Sequence, residues 1–218
     1  MQTTTAARMG LLFSLCLILS ACESTYYNTM ESFGVHKRDI FIDRIEDVQA
    51  AQQEGQEQFK SALEQFKSVA AFDGGDLEDQ YNTLNDEYED SVDAAERISN
   101  HIEKVESVSE ALFDEWQREI GEYSNSKLRN ASKQQYRETL SEYKKLLGSM
   151  RRAESSMEPV LVNFKDNVLF LKHNLNARAI RSLKGGLSNI NEDVSTLIKK
   201  MEISIKQSDA FIRNLKGE

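Results

Sequence analysis

Apolar residues return every three or four positions along most of this chain. Phe41, Ile45, Val48, Gln52, Gly55, Phe59, Ala62, Phe66 and Val69 alternate steps of four and three, a heptad seam with Gln52 and Gly55 weakening its middle. Leu77, Tyr81, Leu84, Tyr88, Val92, Ala95, Ile98, Ile102, Val105, Val108, Leu112, Trp116 and Ile120 follow at the mean step of an α-helix. A third seam runs Tyr136, Leu140, Tyr143, Leu147, Met150, Glu154, Met157, Leu161, Phe164, Val168, Leu171 and Leu175; a fourth runs Ile180, Leu183, Leu187, Ile190, Val194, Leu197 and Met201.

The breaks between these runs carry turn chemistry. Asp73-Gly74-Gly75 offers a left-handed stop, and Asp76 an N-cap for the next helix. Residues 121–126 (GEYSNS) form the second turn. The third lies at His173-Asn174-Leu175-Asn176 or at Gly185-Gly186, and the spacing alone leaves both open. Pro159 falls inside the third seam, where proline normally breaks or kinks a helix. Ser155 and Glu158 could form a capping box that starts a new helix. The heptad phase does not slip across Pro159, so the expectation is one kinked, continuous helix.

The fold class that follows is all-α: an elongated antiparallel bundle or coiled coil of about four long helices, filling residues 33–218 as a single domain. A three-helix rod and two separate hairpins are the alternatives. In the up-down arrangement, the start of the domain, the 121–126 turn and the C-terminus share one end.

The N-terminus reads as an address. Residues 9–19 (MGLLFSLCLIL) form an apolar run of 11, preceded by Arg8. That is too short to cross a bilayer, which takes about 20 residues, and it suits a secretory signal peptide over residues 1–21. Leu19-Ser20-Ala21-Cys22 resembles the bacterial lipobox, and the resemblance implies lipidation of Cys22 and a lipid-anchored mature chain with a tether over 22–32. Glu23 stands where Asp would signal retention in the inner membrane, which points to the periplasmic face of the outer membrane of a Gram-negative cell. With Cys16 in the signal and Cys22 acylated, the mature chain keeps no thiol for a disulfide, a nucleophile or a thiolate metal site.

Composition narrows the picture further. The 218 residues include one Pro, where an average chain of this length carries about 11. So few turn formers argue against a sandwich or barrel. There is no phosphate-binding G-x-x-x-x-G-K-[ST], no G-x-S-x-G, no His-Glu-x-x-His and no Glu-x-x-His of the di-iron bundles. His36, His101 and His173 are scattered and read as surface or capping residues. The acids Asp86, Glu87, Glu89 and Asp90 read as a solvated face, and Leu112, Phe113 and Trp116 as core. Val168, Leu169, Phe170 and Leu171 are contiguous, wider than one seam. Such a helix is either central in the bundle, the expectation here, or covered by a partner.

Charge is divided between the halves. Residues 23–122 hold 8 Lys and Arg against 26 Asp and Glu; residues 123–218 hold 18 against 10. Lys127, Arg129, Lys133, Arg137, Lys144, Lys145, Arg151 and Arg152 concentrate the positive charge on one segment. The acidic helices can pack against the basic ones, or this segment can meet an anionic component of the envelope. Nucleic acid is a poor partner for a net charge of −9.

Taken together, Leu19-Ser20-Ala21-Cys22, the Asp73-Gly74-Gly75 turn, and the stretches 157–161 (MEPVL) and 170–177 (FLKHNLNA) resemble a family of uncharacterised proteobacterial lipoproteins built as helical coiled coils around a domain of unknown function. The resemblance implies no assigned activity and no catalytic residues. The expected function is a non-enzymatic, lipid-anchored periplasmic scaffold or adaptor without cofactor or metal, meeting an envelope protein or a second copy of itself. The alternative is a module that binds an anionic envelope component through the basic face of residues 127–152.

Overall fold

The structure is a computed structural model that describes residues 36–72, 76–174 and 177–217; side chains at 177–179, 181 and 182 are not described. Cys22, the signal and tether, the Asp73-Gly74-Gly75 turn and Leu175-Asn176 lie outside the described residues. Among the described residues there are five helices and no strands, and the class is all-α: α1 Lys37–Ala71, α2 Leu77–Glu122, α3 Ser126–Glu154, α4 Met157–His173 and α5 Ala177–Lys216.

The ends of these helices follow local chemistry. The Asp76 carboxylate accepts the Glu78 amide at 2.8 Å, the N-cap expected for α2. Asn125 caps α3 by accepting the amides of Lys127 and Leu128 at 2.9 and 3.3 Å. The Asn174 amide returns to the Leu171 carbonyl at 3.0 Å where α4 stops. Gly185 and Gly186 sit inside α5, so the third break is not there but between the end of α4 at His173 and the start of α5 at Ala177.

The continuous helix expected through Pro159 is instead two helices. Proline has no N–H to give the Ser155 carbonyl, and its ring crowds that same carbonyl. The chain responds four residues upstream. Ser155 still bonds the Arg151 carbonyl at 2.9 Å, whereas Ser156 tightens to the Ala153 carbonyl at 3.1 Å. The Ser155 hydroxyl turns back to the Arg152 carbonyl at 3.2 Å, so the Ser155–Glu158 capping box is not made, and the N-cap of α4 is Ser156, which makes no side-chain capping bond. Its hydroxyl donates backwards to Ala153 instead, at 2.6 Å.

Contacts group the chain into two compact units. The second unit, Arg44–Glu103 with Thr139 onward, contains parts of all five helices. Here α1 is the central strut. Every seam position of α1 expected from sequence is buried, Gln52 and Gly55 included. Phe66 stacks on Phe164 of α4 with ring centroids 4.6 Å apart, and Phe59 lies 6.4 Å from the same ring. Gln58 and Ser61 both donate to the Glu87 carboxylate at 2.9 Å, so this acid of the 86–90 cluster clasps α2 to α1. Gln49 reaches the Ile205 carbonyl and Asp209 on α5, and Lys216 reaches Glu46 at 3.1 Å. Tyr143 of α3 packs against Phe211 of α5. Within this unit the pairs 58 with 87 and 47 with 101, and 49 with 209 and 46 with 216, show that α2 and α5 each run antiparallel to α1.

The third seam is shifted at three of its twelve positions. Tyr143, Met150, Met157, Phe164, Val168 and Leu171 are buried as expected, but the companions of the first four are Leu146, Ala153 and Val160 rather than Leu147, Glu154 and Leu161. A seven-residue repeat leaves a choice between the third and fourth position. The choice taken places Ala153 inside and keeps the Glu154 carboxylate at the edge, where it pairs with Arg151 at 2.8 Å.

The first unit joins the start of α1 to the end of α2 and the start of α3 (Lys104–Glu138). Lys37, 4% exposed, reaches Glu115 at 3.0 Å, and Phe41 meets Phe113 edge-on at 6.2 Å. Phe113 and Trp116 both meet Tyr136 of α3 at nearly right angles, and the Trp116 indole donates to the Ser132 hydroxyl at 2.9 Å. Buried Phe113 and half-buried Trp116 are core members of this unit, as the sequence suggests.

Candidate functional site

An open groove runs along the second unit beside the break between α3 and α4. Tyr88, Val92, Ala95 and Ser99 of α2 form one wall; Met157, Glu158, Leu161, Val162 and Lys165 of α4 form the other, with Glu154 and Ser155 at the break. Its volume is about 480 Å³. A second hollow of about 390 Å³ shares Val92, Ala95, Ser99 and Leu161 and carries it past Glu96 and Asn100.

The groove exists because the third seam takes its shifted register. With Val160 and Ala153 turned into the core, Leu161 is left half-buried at the flank, facing the half-buried Tyr88 and Val92. Farther round α4, apolar side chains reach solvent: Val162 is 50% exposed, Leu169 44% and Phe170 39%. Val162 and Leu169 stand seven residues apart, two turns along one face. The expectation that this wide apolar helix is central in the bundle is therefore corrected. One face, with Val160, Phe164, Val168 and Leu171, is core; the other is open.

The basic side chains divide between the units. In the first, Lys127, Arg129, Lys133 and Arg137 are exposed; Arg129 donates to the Tyr123 carbonyl and so braces the turn before α3. In the second, Lys144, Lys145 and Arg152 are exposed, and half-buried Arg151 is held by Glu154. None of the eight lines the groove.

His36 and His173 are exposed, and His101 lies 3.8 Å from Asp47. No cluster of three or more His, Cys, Asp or Glu side chains able to hold a metal occurs among the described residues. No described helix is long and apolar enough to cross a membrane.

Sequence reasoning missed the groove itself. Its signal was present in the contiguous apolar residues of α4 and in Pro159, but a proline kink does not say which side of the helix will be left open.

The family model described as "Protein of unknown function (DUF2959)" matches residues 26–215. Neither the curated proteins nor the solved structures give a significant match to the chain.

Proposed function

The chain belongs to the DUF2959 family of proteins of unknown function, and we propose that it is a non-enzymatic helical adaptor of the cell envelope. In this reading Cys22 carries the lipid anchor, and the helices project into the periplasm from the outer membrane of a Gram-negative cell. The apolar run of residues 9–19 and the lipobox-like Leu19-Ser20-Ala21-Cys22 that follows it support the anchor.

The adaptor reading is carried by one observation: half-exposed Val162 lines the groove beside the α3–α4 break, and Leu169, two turns along the same face of α4, and its neighbour Phe170 are also more than a third exposed. Apolar side chains gathered beside a concave wall are the surface signature of a protein-binding site. Glu96, Glu154 and Glu158 edge the groove against Lys165. The occupant that fits is a helix of an envelope protein, apolar along one side and basic at its margins. Photo-crosslinkers at positions 162 and 169, inside living cells, test it. Both should capture the same foreign protein, and a Leu161→Asp change in the groove should abolish capture. Products joining only two copies of this chain would replace the adaptor with a homo-oligomer, and no product from either position would refute it.

A second reading rests on the exposure of seven of the eight basic side chains of α3. It makes the chain a binding module for an anionic envelope component, with Lys127, Arg129, Lys133 and Arg137 serving in the first unit.

A further inference from the structure

We infer that the α2–α3 hairpin of the first unit rests on the anionic lipid surface to which the chain is tethered; this deepens the second reading above and rests on the acylation of Cys22.

The hairpin tip has the composition of an interfacial contact. Tyr123 is 39% exposed and Leu128 56%, and every residue from 121 to 131 is exposed. Residues 121–137 hold four basic side chains, Lys127, Arg129, Lys133 and Arg137, against one acid, Glu122. Tyrosine favours the water–membrane boundary, leucine adds buried apolar area, and basic side chains are drawn to anionic headgroups.

The tip also has a fixed shape. The Asn125 carboxamide oxygen takes the amides of Lys127 and Leu128. The Arg129 guanidinium closes the turn from the other side by donating to the Tyr123 carbonyl. Behind the tip, Trp116 and Tyr136 pack at 5.7 Å and lock the two helices together. Tyr123 and Leu128 are thus presented without a large ordering cost on contact.

The same unit holds this tip close to the point where α1 begins. Lys37, the first residue of α1, reaches Glu115. From Glu115, α2 runs on to Glu122, seven residues or about 10 Å beyond the start of α1. The chain between Cys22 and Lys37 spans at most about 50 Å when fully extended. A lipid on Cys22 therefore keeps the hairpin within reach of the bilayer and raises the effective concentration of lipid surface at the tip.

The test uses the full acylated protein in vesicles, with Leu128→Cys as an attachment point for an environment-sensitive fluorophore; acylated Cys22 does not compete for the label. In phosphatidylcholine vesicles containing phosphatidylglycerol, the fluorophore should shift to the blue and be quenched several-fold by lipid-borne quenchers. A label on Glu192→Cys, exposed on α5, should remain in water. The Lys127→Glu/Lys133→Glu pair, or vesicles of phosphatidylcholine alone, should remove most of the quenching at position 128. Position 128 as wet as position 192, in protein whose Cys22 acylation is confirmed by mass spectrometry, overturns the hairpin contact and leaves the anchor standing. Unmodified Cys22 in protein made by the native host overturns both.

Discussion

Gly55 on α1 faces Ile98 on α2 so closely that a β-carbon at position 55 would lie 2.8 Å from the Ile98 Cδ1. Met201 Cε stands 3.7 Å away on the α5 side, and Ile98 is fully buried, so the isoleucine tip has little room to retreat. From sequence, this glycine looks like a flaw in the seam; in the structure it lets helices approach. Gly55→Ala gains about 1 kcal/mol of helix propensity but overpacks the core at a typical cost of about 1–3 kcal/mol. The net effect is expected to be destabilising. Ile98→Val deletes the offending methyl, so in that background Gly55→Ala should be neutral or stabilising. Urea denaturation of the four-member cycle checks this. Equal costs in both backgrounds would show that the contact is not the reason for the glycine.

Gln52 occupies the same seam, is fully buried, and finds no partner among the described residues for either its amide nitrogen or its oxygen. The buried hydroxyls of Ser91, Ser149, Ser156 and Ser208, by contrast, donate to backbone carbonyls three or four residues back. A buried unsatisfied amide costs about 1–3 kcal/mol. Gln52→Leu is therefore expected to raise stability by that order, seen as a higher urea midpoint at unchanged slope. A loss of stability would mean that an internal water satisfies the amide.

The two faces of α4 should respond differently to truncation. Phe164 is fully buried against Phe66 and Phe59, and Phe164→Ala is expected to cost about 3–5 kcal/mol. Leu169→Ala, five residues on, should change stability by no more than about 0.5 kcal/mol. The same Leu169→Ala protein should lose partner capture in cells. Comparable destabilisation by both changes would mean that the outer face is packed after all.

Pro159→Ala restores a backbone donor opposite the Ser155 carbonyl. The α3–α4 break should then close into regular helix, with amide hydrogen exchange across residues 155–160 slowing by about tenfold or more. Because Ser155, Met157 and Glu158 line the groove, capture at position 162 should fall in the same variant. Unchanged exchange would assign the break to Ser155-Ser156 rather than to proline.

The legibility of this fold in its sequence varied with how many residue types shared each heptad. In α1, Phe, Ile and Val mark a narrow seam, and every position named from the pattern is buried. In α3 and α4, leucines at both 146 and 147 and apolar residues at 160, 161 and 162 satisfy either neighbouring register. What separates the two is which side turns inward: Leu146, Ala153 and Val160 are buried, and that choice leaves Leu161 at the groove. The basic residues of α3 were legible as a cluster, because charge needs no partner to be visible in sequence. Their division between two compact units was not, since it depends on where distant helices meet.

The Ser155-Ser156 interruption adds and removes no residue from the inward-facing set. Tyr143, Leu146, Met150, Ala153, Met157, Val160 and Phe164 keep their spacing of three and four straight through it. The elbow changes the path of the chain without turning its face, so it requires no compensating insertion or deletion. A lineage could therefore acquire or lose it by a single codon change at position 159. The shape of the groove beside it can thus be revised without disturbing the partners that α3 and α4 already hold.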